Sequence, residues 1–140
     1  MTDRSFVDTN VWVYAVDANE PKKQARARHI LKPDAGEDLV ISAQVLGEFF
    51  VTVTRKFARS VPEDDARAMV ERMARLPVVP IDAGLVTAAM VASREWQISY
   101  WDALILSAAE MSGCRTVLSE DLSDGTTYGS VTVVNPFRAD

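Results

Sequence analysis

The feature that most limits the fold is an alternation of short apolar runs with stretches of helical spacing. Ser5 to Val7 reads as a short buried strand running into Asp8, Thr9 and Asn10 and then a helical stretch, Val11 to Val16. Pro21 in a first turn opens a basic helix to Leu31. Leu39 to Ile41 is a strand ended by Ser42, a helix N-cap residue type. After it, Val45, Leu46, Phe49, Phe50, Val53 and Phe57 are spaced for one buried helix face. Pro62, Glu63 and Asp64 open a helix to about Arg75, and Val78 to Ile81 is a strand. Asp82 caps a helix to Trp96, and Ser99 caps the next, from Tyr100 to about Met111. Arg115 to Leu118 and Ser130 to Val134 supply the last two strands. Apolar strands alternating with helices predict an α/β protein with a parallel sheet covered on both faces. Ligand sites in such sheets form beyond the carboxyl ends of the strands.

That rule ranks the acidic residues. Asp8 follows the first strand directly. Alone it is as well explained by a turn, since Asp, Thr and Asn all favour such positions. The string Phe6 to Val11 nevertheless sets a carboxylate, a hydroxyl and an amide together at a strand's carboxyl end. Asp102 shares a helix face with Ile105, Leu106 and Ala109. A carboxylate in line with an apolar stripe is desolvated unless something pairs with it, although a first-turn aspartate also suits the helix dipole. Glu48 borders an apolar helix face, the ordinary place for a boundary glutamate. Gly47 before it is costly inside a helix and suggests another backbone passing close by. Asp121 follows the strand ending at Leu118 by a short turn, the geometry shared with Asp8. Glu120 and Asp124 in the same Ser119 to Gly125 loop are less certain candidates, better read as solvated loop acids.

Other chemistries are poorly served. The one cysteine, Cys114, excludes an internal disulfide and a multi-cysteine zinc site, and reads as a small buried hydrophobe. The one histidine, His29, sits in a basic helical stretch and reads as a surface residue. No nucleophile elbow or phosphate-cradling glycine loop is present. Hard oxygen ligands without histidine or cysteine suit Mg²⁺ or Mn²⁺. Two such ions roughly 4 Å apart can activate water against a phosphodiester. Asp8, Glu48, Asp102 and Asp121 are therefore the expected metal-holding, catalytic set, with Thr9, Asn10 and Ser119 orienting them. A formal net charge of −5 argues against a nucleic-acid binder held by bulk positive charge. Two divalent cations, adding four positive charges, would leave about −1, so RNA is not excluded.

With 140 residues, 48% of them hydrophobic, the chain fits one domain over residues 1–140 with its own core. No signal-peptide layout and no apolar run of membrane-spanning length are present, so we expect a cytoplasmic protein without membrane contact.

At these residues the sequence resembles the PIN-domain family, specifically its bacterial VapC-type toxins. The resemblance covers nearly the whole chain. It rests on Phe6 to Val11 with Tyr14 and Ala15, on Ser42 to Glu48, on Trp101 to Ile105 and on Leu118 to Leu122. It implies a three-layer α/β/α sandwich around a mostly parallel sheet, and an endoribonuclease dependent on Mg²⁺ or Mn²⁺ with water as nucleophile. Asp8, Glu48 and Asp102 match the family's first three acidic positions, and Asp121 best matches the fourth. A small antitoxin partner and a homodimer are implied by likeness alone.

Two rival readings remain. One is a phosphatase or phosphotransferase with Asp8 as covalent nucleophile. Its commonest arrangement needs a second acid two residues later, where Asn10 stands. The other is a binding module with the fold but no catalysis. Lys22, Lys23, Arg26, Arg28 and Lys32 form the densest basic run, and Arg55, Lys56 and Arg59 a second. Most of these read as solvated faces, and any bordering the acids would hold flanking phosphates. Trp12, Trp96 and Trp101 read as core or interface aromatics rather than stacking platforms.

Overall fold

The computed structural model describes residues 3–33 and 38–138. Strand β1 (Arg4–Val7) leads into α1 (Thr9–Ala15) and α2 (Pro21–Ile30). Next come β2 (Asp38–Ser42), α3 (Ala43–Val51), a π-helical turn (Thr52–Lys56) and α4 (Glu63–Met73). The chain continues through β3 (Val78–Val79), α5 (Ala83–Trp96), α6 (Tyr100–Met111) and β4 (Thr116–Leu118). It closes on a hairpin of β5 (Thr127–Tyr128) and β6 (Val131–Val134).

The sheet order is β3-β2-β1-β4-β6-β5, parallel except for the β5–β6 pair. Phe6, Val7, Val40, Ile41 and Val117 are essentially inaccessible. Consecutive strand residues point to opposite faces, so runs buried throughout require cover on both sides. The helices supply it: α5 packs on α6, and α1 to α4 form a second packed group. The architecture is the expected mostly parallel sheet flanked by helices.

The order also places the site. From β1 the chain builds outward to β2 and β3 on one side, then returns to lay β4 on the other. The crevice at such a reversal, beyond the strands' carboxyl ends, is where open α/β sheets bind ligands. Here it lies between Val7 and Leu118, paired residues at the ends of β1 and β4. The Asp8 N–H continues the ladder to the Leu118 carbonyl at 3.0 Å.

Short polar side chains start the helices around this rim. Ser42 accepts from the Val45 N–H at 3.4 Å, Asp82 from Leu85 at 2.9 Å and Ser99 from Asp102 at 3.1 Å. Each satisfies a donor that the first helical turn leaves orphaned.

Several expectations need correction. The helix after β2 does not run regularly to Phe57. It relaxes into the π turn at Thr52, where Val53 stays buried and the Thr54 hydroxyl donates to the Phe50 carbonyl at 2.6 Å. Strand β5 was not anticipated. Two residues, Gly129 and Ser130, turn the hairpin, with Gly129 at φ +59°. A β-carbon there would collide with the Glu110 carboxylate, which accepts from the Ser130 N–H at 3.0 Å. Trp101 is not a core aromatic, since it is exposed. Gly47 has no neighbouring backbone: a β-carbon built there meets nothing within 4 Å. Its helical position is therefore only an entropic cost. Gly47→Ala should raise stability by about 0.5–1 kcal/mol, read by urea denaturation. A loss would show that the site needs a bare backbone after all.

Candidate active site

Asp8 is buried at the end of β1, and its hydrogen bonds are local and dense. Oδ1 accepts from the Thr9 N–H at 2.8 Å, which starts α1. Oδ2 accepts from the Ser119 hydroxyl at 2.7 Å and from Asn10 Nδ2 at 3.4 Å. Ser119, fully buried beyond β4, in turn accepts from Asn10 Nδ2 at 3.2 Å and the Asp121 N–H at 3.1 Å. The Asn10 amide also reaches Asp121 Oδ2 at 3.3 Å, while its Oδ1 accepts from the Glu120 N–H at 3.1 Å. One amide and one hydroxyl thus lock the ends of β1 and β4 to each other.

Glu48 approaches from α3. Its Oε1 accepts from the Thr9 hydroxyl at 3.5 Å. Asp102, half-buried on the first turn of α6, borders Glu48 closely enough for its charge to act there. Beyond it, Ala103 to Ala109 are all buried, so α6 is enclosed all round rather than along one stripe. The charges of Glu48 and Asp121 act in the same way on Asp8. The charges thus couple pairwise, Glu48 and Asp121 to Asp8 and Asp102 to Glu48, between residues scattered over more than a hundred positions.

Glu120 and Asp124 stand apart from these couplings. Glu120 pairs with Lys23 Nζ at 2.6 Å and accepts from the Tyr14 hydroxyl at 2.5 Å. Burial alone would raise its carboxyl, but these two partners hold it below the usual range. Lys23 is pushed upward by Glu120 first and by Tyr14 second. Asp124 accepts from the Asn135 N–H at 2.8 Å and pairs with Arg138 at 2.8 Å, both lowering its carboxyl. The Lys23 and Tyr14 contacts to Glu120 had no sequence signal, because they join residues about a hundred positions apart.

Among the described residues these are the only ion pairs, so no lysine or arginine neutralises the four clustered acids at contact distance. Burial pushes the Asp8 carboxyl up from its ordinary 3.8 to about 6. The Ser119 and Thr9 hydrogen bonds resist this, and the Glu48 and Asp121 charges add to it. Glu48 is likewise raised, by burial first and by Asp102 among the charges. A hard divalent cation suits this donor set. No three acid, histidine or cysteine side chains among the described residues converge into a ready metal cage. Mg²⁺ does not demand one, since it keeps several waters and takes one or two carboxylates.

A carboxyl raised in the folded state favours folding below its unfolded value, and that contribution is lost as pH rises through the folded value. For Asp8 the window runs from about pH 4 to pH 6. The metal-free protein should be destabilised relative to Asp8→Asn by up to about 3 kcal/mol above pH 6, with the gap closing below pH 4. Urea denaturation of both proteins in EDTA across this range checks it. Equal stability at pH 7 would mean that Asp8 bears no buried-charge cost.

Comparison with known proteins agrees with this geometry. The PIN domain model matches residues 5–123. No curated protein sequence matches the chain. Among solved structures, a toxin–antitoxin complex from Klebsiella pneumoniae aligns over 96% of this chain and 99% of its own, at 15% identity and TM-score 0.68. VapBC2 from Rickettsia felis, bound to a promoter DNA fragment, aligns over 93% and 96%, at 18% identity and TM-score 0.63. VapC20 from Mycobacterium tuberculosis, a toxin that cleaves the sarcin–ricin loop, aligns over 84% and 91%, at 20% identity and TM-score 0.57. At these identities the likeness is one of fold, and the family model carries the assignment: the chain belongs to the PIN-domain family.

Proposed function

We propose that this protein is an endoribonuclease dependent on Mg²⁺ or Mn²⁺ and the toxin of a toxin–antitoxin pair, acting on RNA in the cytoplasm. The observation that carries the reading is the Asp8 carboxylate, buried at the β1–β4 crevice among other acids without a protein cation in contact. Such a cluster repels itself unless a cation joins it. Family membership and toxin–antitoxin neighbours of similar fold support the same reading.

In this reading one or two of the carboxylates of Asp8, Glu48, Asp102 and Asp121 ligate the divalent cation directly and the others hold it through water. When bound, it would supply an activated water and charge stabilisation at the scissile phosphate. The chain's own residues prepare the place. Ser119 and the Thr9 N–H fix both Asp8 oxygens, Asn10 spans Asp8 and Asp121, and the Thr9 hydroxyl restrains Glu48. A preset ligand geometry spares the cost of ordering flexible carboxylates at binding. A covalent aspartyl mechanism is less well supported. Asn10 stands where its commonest arrangement needs the second acid.

An apolar recess is open to an antitoxin partner. A cavity of about 530 Å³ between α1, α3 and α4 is lined by apolar side chains including Trp12, Phe49, Met69 and Leu76. Lys32, Arg72 and Arg75 also border it. An apolar segment carrying acidic residues suits that lining.

Asp8→Asn and Asp102→Asn should each lower Mg²⁺-dependent cleavage of RNA by at least about 100-fold while leaving the circular dichroism spectrum unchanged. EDTA should abolish wild-type cleavage, and Mn²⁺ should restore it. Retained cleavage in both variants would remove these acids from the reaction. A covalent phosphate trapped on Asp8 would favour the phosphotransferase instead.

A further inference from the structure

Trp101 is 64% exposed, the most exposed of the large apolar side chains among the described residues. Trp12 and Trp96 are only partly exposed and pack against the core. Trp101 directly precedes Asp102 on the first turn of α6. Its carbonyl accepts from Gln44 Nε2 at 3.3 Å, and Gln44 lies one turn before Glu48 on α3. This bond ties the start of α6, which carries Trp101 and Asp102, to α3, which carries Glu48. The Tyr100 ring meets it at 4.9 Å and 76°, an edge contact that steadies the indole without stacking on it. Lys56 lies near enough to Glu48 for its charge to act there.

An open indole on the residue next to Asp102, with Lys56 close to Glu48, can grip an unpaired nucleotide, because every base has a face that stacks on an aromatic ring. We propose that Trp101 is a base-stacking platform for a single-stranded nucleotide beside the scissile phosphate, with Lys56 near a flanking phosphate. The proposal rests on the ribonuclease reading above and adds that the substrate is unpaired at the cut. Trp101 positions substrate by binding it equally before and during reaction, so its loss raises KM rather than lowering kcat.

The test titrates wild type, Trp101→Phe and Trp101→Ala with a single-stranded 2′-O-methyl oligonucleotide, which resists cleavage. Tryptophan fluorescence and oligonucleotide anisotropy report binding, and sedimentation reports oligomeric state. Wild-type fluorescence should be quenched on binding. Trp101→Phe should lose most of the quench but keep affinity within a few-fold. Trp101→Ala should bind about 10- to 100-fold more weakly, and on cleavable RNA should show the same rise in KM with kcat little changed. A duplex of the same sequence should bind more weakly without quenching. Unchanged affinity and KM in Trp101→Ala would overturn the proposal while leaving the ribonuclease reading intact. Dissociation of Trp101→Ala from dimer to monomer would also overturn it, by assigning the indole to a contact between two copies. Binding and quenching by a wild type that cleaves no RNA would support stacking and sink the ribonuclease reading. A wild type that neither binds nor cleaves would sink both.

Discussion

The structure turns on the burial of one negative charge. Asp8 ends the strand β1 and is nearly inaccessible, so its ionised form is disfavoured until hydrogen bonds and a counter-charge compensate. Three donors supply the hydrogen bonds: the Thr9 N–H, the Ser119 hydroxyl and the Asn10 amide. Each has a second structural task. The first begins α1, the second joins β4 to β1, and the third reaches across to Asp121. The carboxylate is therefore both the hub of the crevice and its least comfortable group. That combination marks a functional position more often than a structural one.

Charge is sorted across the loop after β4 with some economy. Of its three acids, Glu120 is given to Lys23 and Tyr14, and Asp124 to Arg138 and the Asn135 N–H. Those contacts tie the loop to α1, α2 and the chain beyond β6. Asp121 keeps only the Asn10 amide near its carboxylate and remains beside Asp8. Two acids thus anchor the loop, and the third is left where a cation can reach it. A single hydroxyl, Ser119 Oγ, donates to Asp8 and accepts from Asn10 and the Asp121 N–H, which holds this sorting in register with the strand.

The solved structures of similar fold share no more than about a fifth of their residues with this chain. That is understandable if the fold depends on pattern. Strands buried on both faces need apolar residues of suitable volume, not particular ones. Cap residues need only a short side chain with an acceptor. The crevice is less forgiving, because its hydrogen bonds name specific atoms.

Much of this was legible in the chain itself. The alternation of apolar runs with helical spacing is a local property, and it specified a covered parallel sheet. Ser42, Asp82 and Ser99 announced their helices through chemistry that acts within three residues. The hairpin at Gly129 and Ser130 was not read, because β5 is only two residues long and lacks a periodic signal of its own. The exposure of Trp101 and the open space around Gly47 were not readable, because neighbours distant in sequence decide both. The same limit applies to the acids. Sequence could nominate Asp8, Glu48, Asp102, Asp121, Glu120 and Asp124 by position. Only the return of β4 to the side of β1, and the pairing of Lys23 with Glu120 across 97 positions, decided which share a crevice and which are neutralised elsewhere. Electrostatic interaction depends on distance in space, and a chain's order does not contain that distance until it has folded.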